Sequence, residues 1–321
     1  MGQTQTKYKN KRRPKFESRE EYFIKNGGIL LEKQIALSQG QHKGAGQLKI
    51  FSSREIEKVT DNFDPDFILG FTAHSTNYKA TFEGRLVAVK TPLGRDPNPE
   101  LIDLFLTEAS TTIVMNHDNM VKLCGGCLET FIPILVRIKW PDRLRVAIDT
   151  AYALSYMHNA LSKPVVHRDV NSKNILLDES LHGKLSSFGY SVSITPGETP
   201  QKWPVEGTPG YIDPEYIETQ EVTDKCDVYS FGVFMLELLT RRQPLLMAKG
   251  GTDLVDVFVS NVEKNCMINM IDNEVLQQAS RDEIQRVAEL AFACVAKKGA
   301  QRPTMIYIVS ELWSIQGRDM K

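Results

Sequence analysis

The chain has 321 residues, 41% hydrophobic and 25% charged, a balance ordinary for a soluble globular protein and sufficient for two domains or one bilobal one with a sizeable core. A net charge of -1 and a pI near 6.6 exclude a general basic surface for nucleic acid. Five cysteines, an odd number with no apolar leader segment, indicate reduced thiols rather than a disulfide framework. Cys124 and Cys127 have metal-like spacing, but Cys226, Cys266 and Cys294 stand singly, so packing is expected there instead of zinc. No run of eighteen apolar residues occurs. The stretch Phe231 to Leu239 is short and carries Glu237, so no membrane span is expected.

The first residues, Met1-Gly2-Gln3-Thr4-Gln5-Thr6, fit the pattern for acylation of Gly2 after removal of Met1. Lys7, Lys9, Lys11, Arg12, Arg13 and Lys15 follow with no acid among them. One acyl chain anchors only marginally, whereas a chain plus basic residues, each worth about 1 kcal/mol near an anionic leaflet, anchors stably. A solvated basic tail and a nuclear-import signal are the other readings of the same run. Residues 16–37 carry a short amphipathic segment broken at Asn26-Gly27-Gly28, and residues 38–47, rich in Gly and Gln, read as linker. Residues 1–50 are therefore expected to form a basic extension and linker.

From Ile68 onward alternating strands are expected, with a hairpin made by Tyr78 to Phe82, the turn Glu83-Gly84-Arg85, and Leu86 to Lys90. A helix is expected over 99–115, with Leu101, Leu104, Phe105 and Ile113 on its buried side. Phe131 to Val136 reads as a fifth strand. After it the chain runs through Arg137 to Asp142 straight into a long helix with apolar residues at Leu144, Ala147, Ile148, Ala151, Leu154 and Met157. The stretch Val165-Val166-His167-Arg168-Asp169-Val170-Asn171-Ser172-Lys173-Asn174-Ile175-Leu176-Leu177-Asp178 reads as strand, polar loop, strand. Further on come Ser187-Phe188-Gly189, Gly207-Thr208-Pro209-Gly210-Tyr211-Ile212-Asp213-Pro214-Glu215, Asp227-Val228-Tyr229-Ser230-Phe231-Gly232 and Gln301-Arg302-Pro303-Thr304.

In this order these motifs closely resemble those of protein kinases. The resemblance covers about residues 51–316. It implies an α+β, bilobal fold, with a small β-rich N-lobe over 51–137, a larger helical C-lobe over 138–316 and a tail over 317–321. By the same resemblance Asp169 would accept the proton of a substrate hydroxyl, and Asn174, five residues on, would hold a magnesium ion. Lys90, in Val87-Ala88-Val89-Lys90, would reach the nucleotide phosphates with Glu108 as its partner. Asp227 would open the central buried helix, Arg302 would pair with Glu215, and Arg168 could meet a phosphorylated residue in the activation segment, Ser191 to Thr208.

Four departures stand against activity. Of three expected loop glycines only Gly70 remains in Gly70-Phe71-Thr72-Ala73-His74-Ser75, so backbone amides would cradle phosphates poorly. Ser187 replaces the aspartate that chelates the phosphate-bridging metal, and a neutral hydroxyl lacks the charge a hard dication selects. Asn171 replaces the lysine two residues after Asp169. Finally, Val136 to His167 is roughly two dozen positions shorter than the motif set implies, so that the hinge and the following helix are missing. A deletion, an alternative transcript or an exon-joining error would each produce that gap. ATP and Mg2+ binding are expected to be weak or lost.

Asn26-Gly27-Gly28-Ile29-Leu30-Leu31-Glu32, followed by Phe51 to Ile56 and Thr60 to Phe63, resembles the cytoplasmic approach to plant wall-associated receptor-like kinases, here without ectodomain or span. With Ser-Phe-Gly and the eroded loop, the chain resembles plant cytoplasmic pseudokinases related to HopZ-ETI-deficient. That likeness implies an adaptor at the inner membrane surface or in the cytoplasm, between an NLR immune receptor and receptor-like cytoplasmic kinases. A weakly active serine/threonine kinase using Lys90, Glu108, Asp169 and Asn174 is the alternative.

Overall fold

A computed structural model describes residues 53–71, 74–82, 85–92, 99–115, 117–121, 139–178, 180–195 and 200–317, together with Glu32. Gly2, the basic run, Cys124, Cys127, Thr72, the strand expected at 131–136 and the shortened join all lie outside these residues.

The N-terminal part opens with helix α1, Ser53–Val59, and then forms an antiparallel sheet of β1 (Ile68–Phe71), β2 (Ser75–Phe82) and β3 (Arg85–Pro92). Phe82 pairs with Arg85, so Arg85 belongs to β3 and only two residues connect the strands. Alternation places Ala80, Val87 and Val89 in a small core, against which Ile56, Val59 and Tyr78 pack. Helix α2, Pro99–Val114, differs from expectation. Leu101, Leu104 and Phe105 are half-buried, while Glu108, Ser110, Thr111 and Thr112 are buried. The polar face is buried at low cost because Ser110 and Thr112 donate to the Thr107 and Glu108 carbonyls at 3.0 and 2.6 Å.

The larger C-terminal part is mainly helical, and its core lies between α3 (Trp140–Asn159) and α5 (Asp224–Thr240). In α3 the residues Leu144, Ala147, Ile148, Ala151, Leu154 and Met157 are all buried, the stripe that a 3.6-residue period dictates. Pro141 in the first turn suits helix initiation, and the Trp140 backbone N–H and indole donate to Gln278 and Glu283 at 2.7 and 2.9 Å. Helix α5 starts where the Thr223 side chain accepts from the Lys225 N–H and stops at Arg241 in the left-handed region. It passes close to α9, Arg281–Cys294: a Cβ at Gly232 would lie 2.7 Å from the Cys294 Cβ, so only glycine permits this approach.

Short strands β4 (Val165–Val166), β5 (Ile175–Leu177), β6 (Gly183–Leu185) and β7 (Val192–Ser193) pair as β4–β7 and β5–β6. They fix the ends of the polar loop at 167–174. Helices α4 (Pro214–Thr219), α6 (Pro244–Lys249), α7 (Leu254–Glu263), α8 (Asn273–Gln278) and α10 (Met305–Ile315) complete the part. Ser280 and Thr304 cap α9 and α10 by accepting from Glu283 and Tyr307 amides. No helix among the described residues is long and apolar enough to cross a membrane.

Candidate functional site

The loop between β4 and β5 rests on a carboxylate from α5. Asp227 is fully buried; its oxygens accept from the His167 and Arg168 amides at 2.7 and 2.8 Å and meet the His158 Nε2 at 2.8 Å. Burial alone would raise its pKa, but the hydrogen bond and charge of His158, with His167, hold it below the usual carboxylate range. These bonds keep Arg168 at φ 69, a left-handed backbone that a non-glycine residue adopts only when its surroundings enforce it.

Asp169 then faces a set of side-chain donors. Thr208 Oγ1 donates to its Oδ1 at 2.7 Å, Asn171 Nδ2 to the same oxygen at 3.0 Å, and Asn174 Nδ2 to Oδ2 at 2.7 Å. Burial raises the Asp169 pKa, and the Thr208, Asn174 and Asn171 bonds only partly offset it. Asn171 also donates to Thr208 Oγ1 and accepts from the Lys173 amide, which ties it into the loop. Since Asn174 uses its amide nitrogen on Asp169, its oxygen is the atom left for a cation.

Ser187 sits at φ 66, ψ 54, at the head of the turn Phe188–Tyr190. Phe188 is buried with its ring 5.2 Å from that of His167, whose Nε2 is 2.9 Å from the Ser186 carbonyl oxygen. Gly189 packs on α2 so closely that a Cβ would lie 2.8 Å from Leu104 Cδ1. On the opposite wall Lys90 Nζ lies 2.7 Å from Glu108 Oε2 and 5.6 Å from the Phe105 ring centre; Glu108 Oε1 is buried without a hydrogen-bond partner. Gly70 is in β1, opposite Asn77.

Hence the structure gathers Asp169, Asn171, Asn174 and Thr208 into one network above Asp227, and it joins Lys90 to Glu108. By their motif positions, Asn174 would supply an amide oxygen and Ser187 a neutral hydroxyl to the candidate cation position. Among the described residues no group of three His, Cys, Asp or Glu side chains could hold a metal. The Asn174 and Ser187 donors are both neutral oxygens, whereas magnesium usually takes one or two carboxylates from a protein.

One expected pairing is corrected. Arg302 does not pair with Glu215; its guanidinium grips Asp213 with Nη1 to Oδ2 at 2.5 Å and Nη2 to Oδ1 at 2.7 Å. Asp213 is the cap of α4 and accepts from the Glu215 amide, so its carboxylate points back at Arg302. Glu215, inside the helix, turns instead to the Gly299 amide at 2.7 Å. Arg168 makes its own contacts within the chain. It donates to the Tyr190 and Pro204 carbonyls at 3.0 and 2.5 Å and to the Tyr216 hydroxyl, and it lies over the Trp203 ring.

A further cluster escaped sequence reasoning: Glu237 in α5 accepts from Tyr211 at 2.5 Å and from Ser172 at 3.1 Å. Its signal was a lone acid within an apolar run, whereas nothing in the sequence pointed to Asp213 or to the contact between His74 and Tyr190.

Comparison with known proteins matches the protein kinase domain over residues 100–314. The chain belongs to the protein kinase family. This kinase domain is 38% identical to wall-associated receptor kinase-like 4 of Arabidopsis thaliana, over 94% of the chain and 42% of that relative. It is also 38% identical to wall-associated receptor kinase-like 1 of the same plant, over 95% of the chain and 44% of the relative. The kinase-family chain thus spans about two fifths of the length of the curated relatives it matches. The first alignment runs over 323 residues although it uses 94% of a 321-residue chain, so the relative contains positions that this kinase domain lacks.

Proposed function

We propose that this protein-kinase-fold chain is a pseudokinase, a non-catalytic signalling adaptor whose surface, activation segment included, is read by protein partners. The observation that carries the reading is Ser187: a neutral hydroxyl at the metal position of a site whose other walls are assembled. The single loop glycine Gly70 and Asn171, tied to Asp169 and Thr208, add to it. In this reading the chain acts beside the inner face of the plasma membrane, held by Gly2 acylation and the basic run. Its partners are an NLR immune receptor and active receptor-like cytoplasmic kinases, in the manner of plant pseudokinases related to HopZ-ETI-deficient.

The Lys90–Glu108 ion pair and the half-buried Asp169–Asn174 bond favour a second reading, a weak serine/threonine kinase that transfers the ATP γ-phosphate to protein hydroxyls. Thermal stability with ATP, with and without magnesium, separates the two. A ligand at a hundredfold excess over Kd stabilises the native state by about 2.7 kcal/mol. The adaptor reading expects no magnesium-dependent shift in the parent and a gain in Ser187→Asp. A shift in the parent, with autophosphorylation that disappears in Asp169→Asn, would establish the weak kinase.

A further inference from the structure

His74, immediately before β2, reaches across the cleft: its Nε2 is 2.7 Å from the Tyr190 hydroxyl, and the two rings meet edge to face with centres 6.2 Å apart. Tyr190 closes the turn that begins after Ser187. It is fixed from below by Arg168, which donates to its carbonyl at 3.0 Å, and Gly189 beside it is pressed against Leu104. Burial, with Glu206 and Asp169 nearby, pushes the Tyr190 phenol up to about 12, so the hydroxyl keeps its proton across neutral pH. His74 belongs to the β1–β2 loop of the small lobe and Tyr190 to the large lobe. In a kinase carrying nucleotide and metal, those two elements face each other across the phosphates.

We propose that the His74–Tyr190 pair is a built-in clamp that holds the small lobe closed over the large one without any ligand. It joins directly, by side chains, two elements that would otherwise be bridged through bound phosphates. The clamp stands on geometry; only the statement that it takes over a nucleotide's bracing role rests on the non-catalytic reading. Closure is thereby a property of the chain itself, and a partner that needs the closed shape meets it preformed.

Hydrogen exchange of the full chain without nucleotide, read by mass spectrometry, tests this. Tyr190→Phe removes only the hydroxyl, and His74→Ala removes the exposed end of the clamp. One net hydrogen bond corresponds to roughly a two- to tenfold change in local opening. Each variant is expected to raise exchange by that factor both in β1–β2 and in the Phe188–Tyr190 turn, with protection in α5 unchanged. The double variant should add nothing beyond the larger single effect, as for two ends of one contact. Unchanged exchange, or effects of the two variants that simply add, would overturn the clamp. Because His74 is exposed, its variant tests the clamp even where a Tyr190 variant loosens the core. Autophosphorylation that disappears in Asp169→Asn would refute the non-catalytic reading and leave this nucleotide-free comparison intact.

Discussion

Replacing Asp213 by Asn tests the correction that separates it from Glu215. The side chains of Arg302 and Asp213 are 0% and 2% exposed, and the guanidinium also serves the Lys225 and Ala296 carbonyls, so it cannot swing into solvent. The Asp213→Asn variant would keep a capping oxygen for α4 but lose the charge, leaving a buried cation uncompensated. Loss of one partner from such a pair costs about 3–5 kcal/mol, a large share of a typical folding free energy of roughly 5–15 kcal/mol. Glu215→Gln retains an oxygen for the Gly299 amide and should cost less than about 1.5 kcal/mol. Urea unfolding followed by tryptophan fluorescence measures both. Equal losses in the two variants, or a larger one for Glu215→Gln, would refute the assignment of Asp213 as the partner of Arg302.

Three further outcomes are expected. Burial pushes the Glu237 carboxyl up to about 7 from 4.5, so its favourable contribution is complete below pH 4.5 and is lost as pH rises through about 7. Glu237→Gln should therefore gain on the parent by up to about 3 kcal/mol between pH 4.5 and pH 8 in urea titrations; a pH-independent difference would contradict the shift. Gly232→Ala should cost about 1–3 kcal/mol, because the added methyl meets Cys294 and Val295, and an unchanged melting temperature would show that α5 and α9 can separate freely. Asp227→Ala should abolish protection of the His167 and Arg168 amides in hydrogen exchange before it affects α10, and uniform loss would deny it a local role.

What the sequence made legible was local and periodic. Helix α3 is set by apolar residues three and four apart, and the β2–β3 hairpin by alternation, so both follow from short-range geometry. Motif order placed Asp169, Asn174, Lys90 and Glu108 near one cleft, because in a known fold each motif has a fixed station. Apolar periodicity showed only part of the packed surface of α2, because serine and threonine hydroxyls bond their own helix and let a polar face be buried as well; the Ile113 side chain lies outside the described residues. Arg302 and Asp213 are 89 positions apart, and the choice between Asp213 and Glu215 turns on which carboxylate the helix start aims backwards. His74 and Tyr190 lie 116 positions apart on irregular segments, where no periodic signal operates.

The bonds of Arg168 have a consequence for signalling. With two carbonyls and a phenol already held, the guanidinium ties Tyr190, Pro204 and Tyr216 together by contacts within the chain itself. In this arrangement the arginine has partners without an added phosphate.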